Sequence, residues 1–268
     1  LLDGEGVKVA PDTRLSFLAR YSVNPDLTWT GQRFVAAWQD DRNGNFQLFA
    51  QVLDIDGNLV GENVTLAALP GIDVEAPVLA ATSRGVGLAY GTGDAVDRRV
   101  SFRPFDADLN PLADGVVLTD VPTQARFTAI AANRDDYIVA WADESPGRFG
   151  IWATVLDATA QTVVAPRRII DPGPGERARY PQMRALGDRV LFVYADTRQA
   201  DDYELWAQLF DDRLVPIEPE RRITFGFGPS VSPEIAFGPD GALGVLFRDD
   251  RLLEQHVWFT RLGCAAAP

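Results

Sequence analysis

One short apolar pattern, an alternating run that ends in an aromatic residue, occurs five times in this chain of 268 residues. The copies occupy 34–38, 86–90, 137–141, 190–194 and 243–247. They end in Trp38, Tyr90, Trp141, Tyr194 and Phe247, so successive copies lie 51 to 53 residues apart. A repeat of that period builds a fold from one supersecondary unit used several times. A second run follows each copy, at 46–54, 98–106, 149–157, 203–211 and 255–263, and usually ends in Asp. Both runs alternate and are rich in β-branched and aromatic residues, as strands are. A shorter segment precedes each pair, opened by Pro25, Pro77, Pro181 and Pro233, with Phe127 in the third copy. Proline suits the first residue of a strand, where the missing N–H costs least. A fourth segment closes four of the units, at 59–66, 112–119, 163–171 and 215–224.

Four strands in about 52 residues, repeated radially, describe a propeller blade. The sequence therefore predicts an all-β, five-bladed β-propeller with four-stranded antiparallel blades in a single domain, 1–268. The expected blades are about 25–70, 77–121, 127–172, 181–226 and 233–263. The last has no fourth strand after it. The segment 1–9 resembles 58–66, so residues 1–11 are expected to be the outer strand of the last blade and to close the ring. Such stitching covers an edge that would otherwise template aggregation.

Composition narrows the partners. The net charge is −13 and Lys8 is the only lysine, which argues against binding a nucleic-acid backbone. No apolar run is long enough to span a bilayer. Cys264 is the single cysteine, so no intrachain disulfide is expected, and the tail after it leaves room for an anchor or further domain beyond Pro268. The chain opens at Leu1 without Met or an apolar signal region, so any signal peptide is expected to have been removed.

The run Trp38-Gln39-Asp40-Asp41-Arg42-Asn43-Gly44 resembles the W-x-D-x-R-x-G repeats of exported bacterial propeller proteins and, more loosely, TolB and WD40-type propeller repeats. Blade four keeps Tyr194, Asp196 and Arg198, and blade five keeps Phe247, Asp249 and Arg251. Blade three keeps Trp141 and Asp143 without the Arg, and blade two has lost most of the pattern. The resemblance covers nearly the whole chain and implies a propeller scaffold in a secreted, periplasmic or cell-surface protein.

One face of the ring is expected to alternate Asp and Arg. Asp40, Asp143, Asp196 and Asp249 are read as turn acceptors, with Arg42, Arg198 and Arg251 pairing to carboxylates on a neighbouring blade. Asp41, Glu144, Asp250, Arg126 and Arg179 are candidates for contacting a partner, and Phe225 and Phe227, between glycines, for stacking on a sugar or seating a peptide. Asp41, Asn43 and Asn45 alternate as in the start of a calcium loop but lack its glycine and distal Glu. The turn after Asp54 reads first as a hairpin. No other cofactor is expected.

Five-bladed propellers also host sugar-cleaving enzymes, which need two carboxylates, one with a raised pKa. The residues just after the strand-opening position are Asp26, Val78, Thr128, Gln182 and Glu234, so Asp26 and Glu234 form a candidate acid/base pair in adjacent blades. Carboxylates on three successive blades are absent. His256 is the sole histidine and falls within a predicted strand, which argues against a Ser-His-Asp hydrolase and against a multi-histidine zinc site. The leading expectation is a non-catalytic binding or scaffold module for a glycan, peptide or protein on the Asp/Arg face. The alternatives are a glycoside hydrolase using Asp26 and Glu234, and a structural subunit of a larger extracellular assembly.

Overall fold

A computed structural model describes residues 4–9, 11–17, 20–94, 96–119, 123–198, 202–226, 228–238, 241–251 and 254–263. Among them the chain is all-β, with five antiparallel sheets arranged as the blades of a propeller ring.

Blade one contains β1 (Ser22–Trp29), β2 (Phe34–Asp40), β3 (Gln47–Leu53) and β4 (Leu59–Ala67). Blade two has β5 (Val74–Thr82), β6 (Gly85–Gly93), β7 (Arg98–Phe105) and the short β8 (Val116–Val117). Blade three has β9 (Ala125–Asn133), β10 (Asp136–Asp143), β11 (Gly150–Leu156) and β12 (Thr162–Ile170). Blade four has β13 (Ala178–Leu186), β14 (Arg189–Asp196), β15 (Glu204–Asp211) and β16 (Arg221–Arg222). Blade five has β17 (Ser230–Phe237), β18 (Leu243–Asp249) and β19 (His256–Leu262). Strands pair in sequence order within each sheet, so each blade is a meander.

The repeated apolar runs are the second strands, and their side chains make the core between blades. Leu88 and Tyr90 of β6 pack with Val35, Ala37 and Leu48 of blade one. Phe192 and Tyr194 of β14 pack with Ile138, Ala140 and Ile151 of blade three. Val245 and Phe247 of β18 pack with Val193 and Ala195 of blade four. Alternation is what lets one strand supply both of its neighbours.

The turns follow from the Asp that ends each third strand. The Oδ1 of Asp54 accepts the N–H groups of Asp56 and Asn58 at 3.0 and 2.8 Å. Asp106, Asp157 and Asp211 do the same for the residues two and four positions on. The fourth residue of this turn is left-handed, and only blade one places glycine there, Gly57 at φ 82°. The hairpin reading of this segment is thus the one seen.

The prolines sit elsewhere than expected. Each proline-bearing inner strand begins three residues before its proline and carries a β-bulge, at Val23/Asp26, Glu75/Val78, Arg179/Gln182 and Val231/Glu234, with a matching one in β9. Pro25, Pro77, Pro181 and Pro233 lie inside these bulges, where the ladder is already broken and a missing N–H is tolerated. The left-handed residue before each is Asn24, Ala76, Tyr180 and Ser232, with Phe127 in blade three. Phe127 therefore matches the residue before the proline, and Thr128 takes the place of the proline itself.

Inner strands of successive blades pack as β1 on β5, β5 on β9, β9 on β13 and β13 on β17. Among the described residues β17 and β1 do not continue this series. Leu27 of β1 is accordingly 58% exposed, whereas its counterparts Leu79, Ile130, Met183 and Ile235 are buried. Residues 11–17 cover part of that face instead. The carbonyl of Leu15 accepts Asn63 Nδ2 at 3.2 Å, and Leu15 and Ser16 border a small cavity against Ala36 and Trp38. Residues 1–3 and 10 of the expected closing strand lie outside the described residues, and Lys8 forms an isolated bridge.

Candidate active site in the central channel

The inner strands enclose a channel of about 740 Å³. Register identifies the ring of side chains at its mid-level. Asp26, Val78, Ala129, Gln182 and Glu234 pair with the residue just before the strand-end aromatic of β2, β6, β10, β14 and β18. The blade-three position is therefore Ala129 and not Thr128, a one-residue correction that follows from the missing proline. One level along, Arg184 takes the position of Thr28, Ala80, Ala131 and Ala236, and it is the cation among the residues lining this channel.

Asp26 is half-buried. Its Oδ2 accepts the Leu79 N–H at 2.6 Å, a bond that also ties blade one to blade two. Burial raises the Asp26 carboxyl above the usual range, against the opposing pull of the Leu79 and Leu27 amides and the Arg184 charge. Glu234 opens onto the channel, and its Oε1 accepts Gln182 Nε2 at 3.1 Å. Its carboxyl is also raised, first by desolvation and then by repulsion from Asp26, with Arg184 opposing. The Asp26 charge is thus felt at Glu234, and Arg184 favours the anion of both.

The Asp/Arg face is organised differently. Arg42, Arg198 and Arg251 pair with Asp40, Asp196 and Asp249 of their own turns at 2.6, 2.5 and 2.5 Å, not with a neighbouring blade. The geometric reason is that each Asp Oδ1 also accepts the N–H of that same Arg, which draws the two side chains together. Each guanidinium then lies over a ring of the third strand: Arg42 on Phe49, Arg198 on Trp206 and Arg251 on Trp258. In blade three, Arg148 pairs with Asp143 at 2.7 Å and covers Trp152, supplying the Arg that the repeat spacing lacks. Burial opposes ionisation of Asp40 and Asp249, but bonding to Arg42 and Arg251 outweighs it and holds both below the usual carboxylate range.

Of the residues predicted to contact a partner, Arg126, Glu144 and Arg179 come together, with Glu144 between the two arginines. Asp41 Oδ1 accepts the N–H groups of Arg20 and Tyr21 at 3.0 and 2.9 Å. Asp250 packs so tightly on Gly228 that a Cβ there would overlap its Oδ1. Phe225 is exposed beneath the Arg222 guanidinium, and Phe227 lies outside the described residues. In the segment read as the start of a calcium loop, Asn43 Nδ2 donates to Gln47 Oε1, and Asn45 Nδ2 donates to the carbonyls of Phe46, Leu69 and Ile72. Among the described residues no three His, Cys, Asp or Glu side chains gather as a metal site would need. No helix is long and apolar enough to cross a membrane.

Such a channel, ringed by five inner strands and holding two carboxyl groups, defines a five-bladed propeller with an acidic central site. No protein-family model matches the chain, and no curated protein matches it. Solved structures do. An endo-arabinase from Bacteroides thetaiotaomicron is 12% identical, with 92% of this chain and 96% of that chain covered at a TM-score of 0.56. A GH43 endo-arabinanase from Bacillus licheniformis is 11% identical, with 89% and 92% covered and a TM-score of 0.52. An α-L-arabinofuranosidase from Lactobacillus brevis is 12% identical, with 90% of each chain covered and a TM-score of 0.51. At these identities the likeness is one of fold. It supports the propeller, while the W-x-D-x-R-x-G repeat family finds no matching model. It also corrects the leading expectation of a non-catalytic binding or scaffold module, because the propellers this chain resembles are glycan-cleaving enzymes.

Proposed function

We propose that this protein is a glycoside hydrolase whose reaction takes place in the central channel, with Glu234 as general acid and Asp26 as general base. The observation that carries the reading is geometric: Asp26 and Glu234 stand at the same register level of their strands and line one channel, with Arg184 as the cation beside them and burial raising both carboxyl groups. Groups whose pKa values are displaced by desolvation and by a like charge mark acid/base sites.

The roles follow from the partners. Asp26 accepts the Leu79 N–H, which favours its anion against the burial that raises it, so it is suited to take a proton from water. Glu234 opens to the channel and keeps its proton to higher pH than a free carboxyl, so it is suited to protonate the departing glycosidic oxygen. Whether the reaction inverts or retains the anomeric centre turns on the separation of the two carboxyl groups, and proton NMR of the first-formed product reads it. Two carboxyl groups suffice for this chemistry even though Val78, Ala129 and Gln182 supply none.

Pentose-containing glycans are the first substrates to test, given what the resembled enzymes are named for. Export to the periplasm, cell surface or medium belongs to the same proposal, supported by the repeat resemblance and by the location of polymeric glycans outside the cell. The test is incubation with arabinan, arabino-oligosaccharides, 4-nitrophenyl α-L-arabinofuranoside and a panel of other plant and microbial glycans. Shortened products are expected from at least one. Absence of hydrolysis across the panel overturns the reading.

A further inference from the structure

The five inner-strand bulges impose the same backbone demand and receive very different side chains. The residues with positive φ are Asn24 at 50°, Ala76 at 50°, Phe127 at 54°, Tyr180 at 53° and Ser232 at 53°. Asn adopts this conformation readily, and small residues bear it at modest strain. For a bulky ring it is an outlier. Two neighbouring blades nonetheless place aromatic residues there, and strain retained against propensity marks positions held for their side chains. The rings of Phe127 and Tyr180 meet with centroids 4.1 Å apart and planes inclined by 49°.

These rings border a separate groove of about 180 Å³ at the channel wall. Its remaining boundary includes Pro181, Pro233, Gln182 and Glu234, and it excludes Asp26. An apolar ledge beside one amide and one carboxyl group offers what a sugar ring needs: a face for its C–H groups and partners for its hydroxyls. Because Glu234 borders this groove and Asp26 does not, the ledge lies on the proton-donor side of the pair.

We infer that Phe127 and Tyr180 form a stacking ledge for the sugar on the leaving-group side of the scissile bond, so that the enzyme prefers an oligosaccharide to a substrate with a non-sugar leaving group. The inference rests on the hydrolase reading above and adds to it where the chain's second sugar binds.

The experiment compares wild type with Phe127→Asn and Tyr180→Asn, by thermal unfolding, by turnover of arabino-oligosaccharide and arabinofuranosyl fluoride, and by calorimetric binding of arabino-oligosaccharide in the Glu234→Gln background. Asn relieves the backbone strain, so Phe127→Asn is expected to raise Tm by about 2–4 °C. At the same time kcat/KM for the oligosaccharide should fall at least tenfold, the fluoride, whose leaving group is too small to rest on the ledge, should change less than twofold, and oligosaccharide binding should weaken at least tenfold. Unchanged oligosaccharide turnover and binding in both variants would overturn the ledge while leaving the hydrolase reading intact. Binding that disappears in Phe127→Asn without any hydrolysis by wild type would support the ledge and overturn the hydrolase reading. Neither binding nor hydrolysis by any protein would overturn both.

Discussion

Gln182 on β13 reaches across the boundary between blades four and five, and its Nε2 donates to Glu234 Oε1 on β17 at 3.1 Å. Gln182 occupies in its own blade the position that Glu234 occupies in the next, so the channel ring holds one of its carboxyl groups with the amide beside it. Across the ring, Asp26 is held by a donor of the neighbouring blade in the same way, through the Leu79 N–H. Each proposed catalytic group is thus oriented from an adjacent sheet, and the alignment of the blades becomes the alignment of the chemistry.

Removing the first of these bonds by Gln182→Ala should lower kcat with little change in KM for a small aryl glycoside. A hydrogen bond between neutral partners contributes about 0.5–1.5 kcal/mol, which corresponds to roughly a twofold to tenfold loss. Steady-state kinetics check the split. Thermal unfolding should be nearly unaffected, because this bond lies at the open channel wall.

Arg184 lowers the pKa of both Asp26 and Glu234. Arg184→Met removes that charge, so both carboxyl groups should titrate higher. The acidic limb of the kcat/KM profile, where Asp26 must lose its proton, and the alkaline limb, where Glu234 must keep it, should both move to higher pH. A profile measured at constant ionic strength reads the displacement. Limbs that stay in place would remove Arg184 from the site.

The same raised values make a stability prediction. A carboxyl whose folded pKa lies above its unfolded value stabilises the fold relative to high pH while protonated in both states, and that advantage is lost as pH rises through the folded value. Asp26→Asn and Glu234→Gln should therefore raise Tm at neutral pH and lose the advantage below about pH 4, the usual carboxyl pKa. Asp40 and Asp249 have the opposite sign. Their folded values are depressed, so their contribution is present above the unfolded pKa and disappears as pH falls through the folded one. Differential scanning calorimetry between pH 3 and 8 separates the two groups.

Much of this architecture is legible in the sequence, for a physical reason. Blades repeat because each sheet must bury two faces against copies of itself, and Trp38, Tyr90, Trp141, Tyr194 and Phe247 recur where that burial is deepest. The channel is harder to read. Blade three lacks the proline that marks the bulge, and Phe127 stands one residue before its place, so the ring position moved from Ala129 to Thr128. Counting back from Trp141 to its strand partners would have located it. Arg184 escaped notice as a site residue because its significance lies in facing two other blades, which no spacing records. Arg148 escaped because a guanidinium reaches Asp143 as well from five residues away as from two. The binding-module expectation rested on repeats complete as scaffold with catalytic parts read as missing, and it placed the ligand on an Asp/Arg face whose repeated pairs, Asp40–Arg42, Asp196–Arg198 and Asp249–Arg251, close within their own turns.

Those turns yield a further prediction. Arg42→Ala leaves the buried Asp40 carboxylate with its backbone, Trp38 and Ser22 donors. Loss of a charged partner there should cost about 2–3 kcal/mol, less than for a fully enclosed pair because Arg42 keeps some exposure. Arg148→Ala should cost a similar amount through Asp143, although the repeat spacing gives no hint of that pair. Urea unfolding at pH 7 measures both.

Ring closure can be tested through the N-terminal segment. Deleting residues 1–11 removes the proposed outer strand of blade five, and the protein should then unfold at lower temperature and aggregate more readily through the edge of β19. Deleting residues 1–16 should cost more, since it also uncovers Ala36 and Trp38. Unchanged Tm after the shorter deletion would mean that residues 1–11 do not close the ring.

The central claim is that Glu234 gives a proton to a leaving group while Asp26 activates water. The measurement that tests it most directly is kcat for wild type, Asp26→Asn and Glu234→Gln on two arabinofuranosides, one with a 2,4-dinitrophenolate leaving group and one with a sugar. The account predicts that Glu234→Gln abolishes turnover of the sugar substrate yet retains most turnover of the dinitrophenyl substrate, which needs no protonation, whereas Asp26→Asn abolishes both. Equal turnover of the sugar substrate by all three proteins would contradict it.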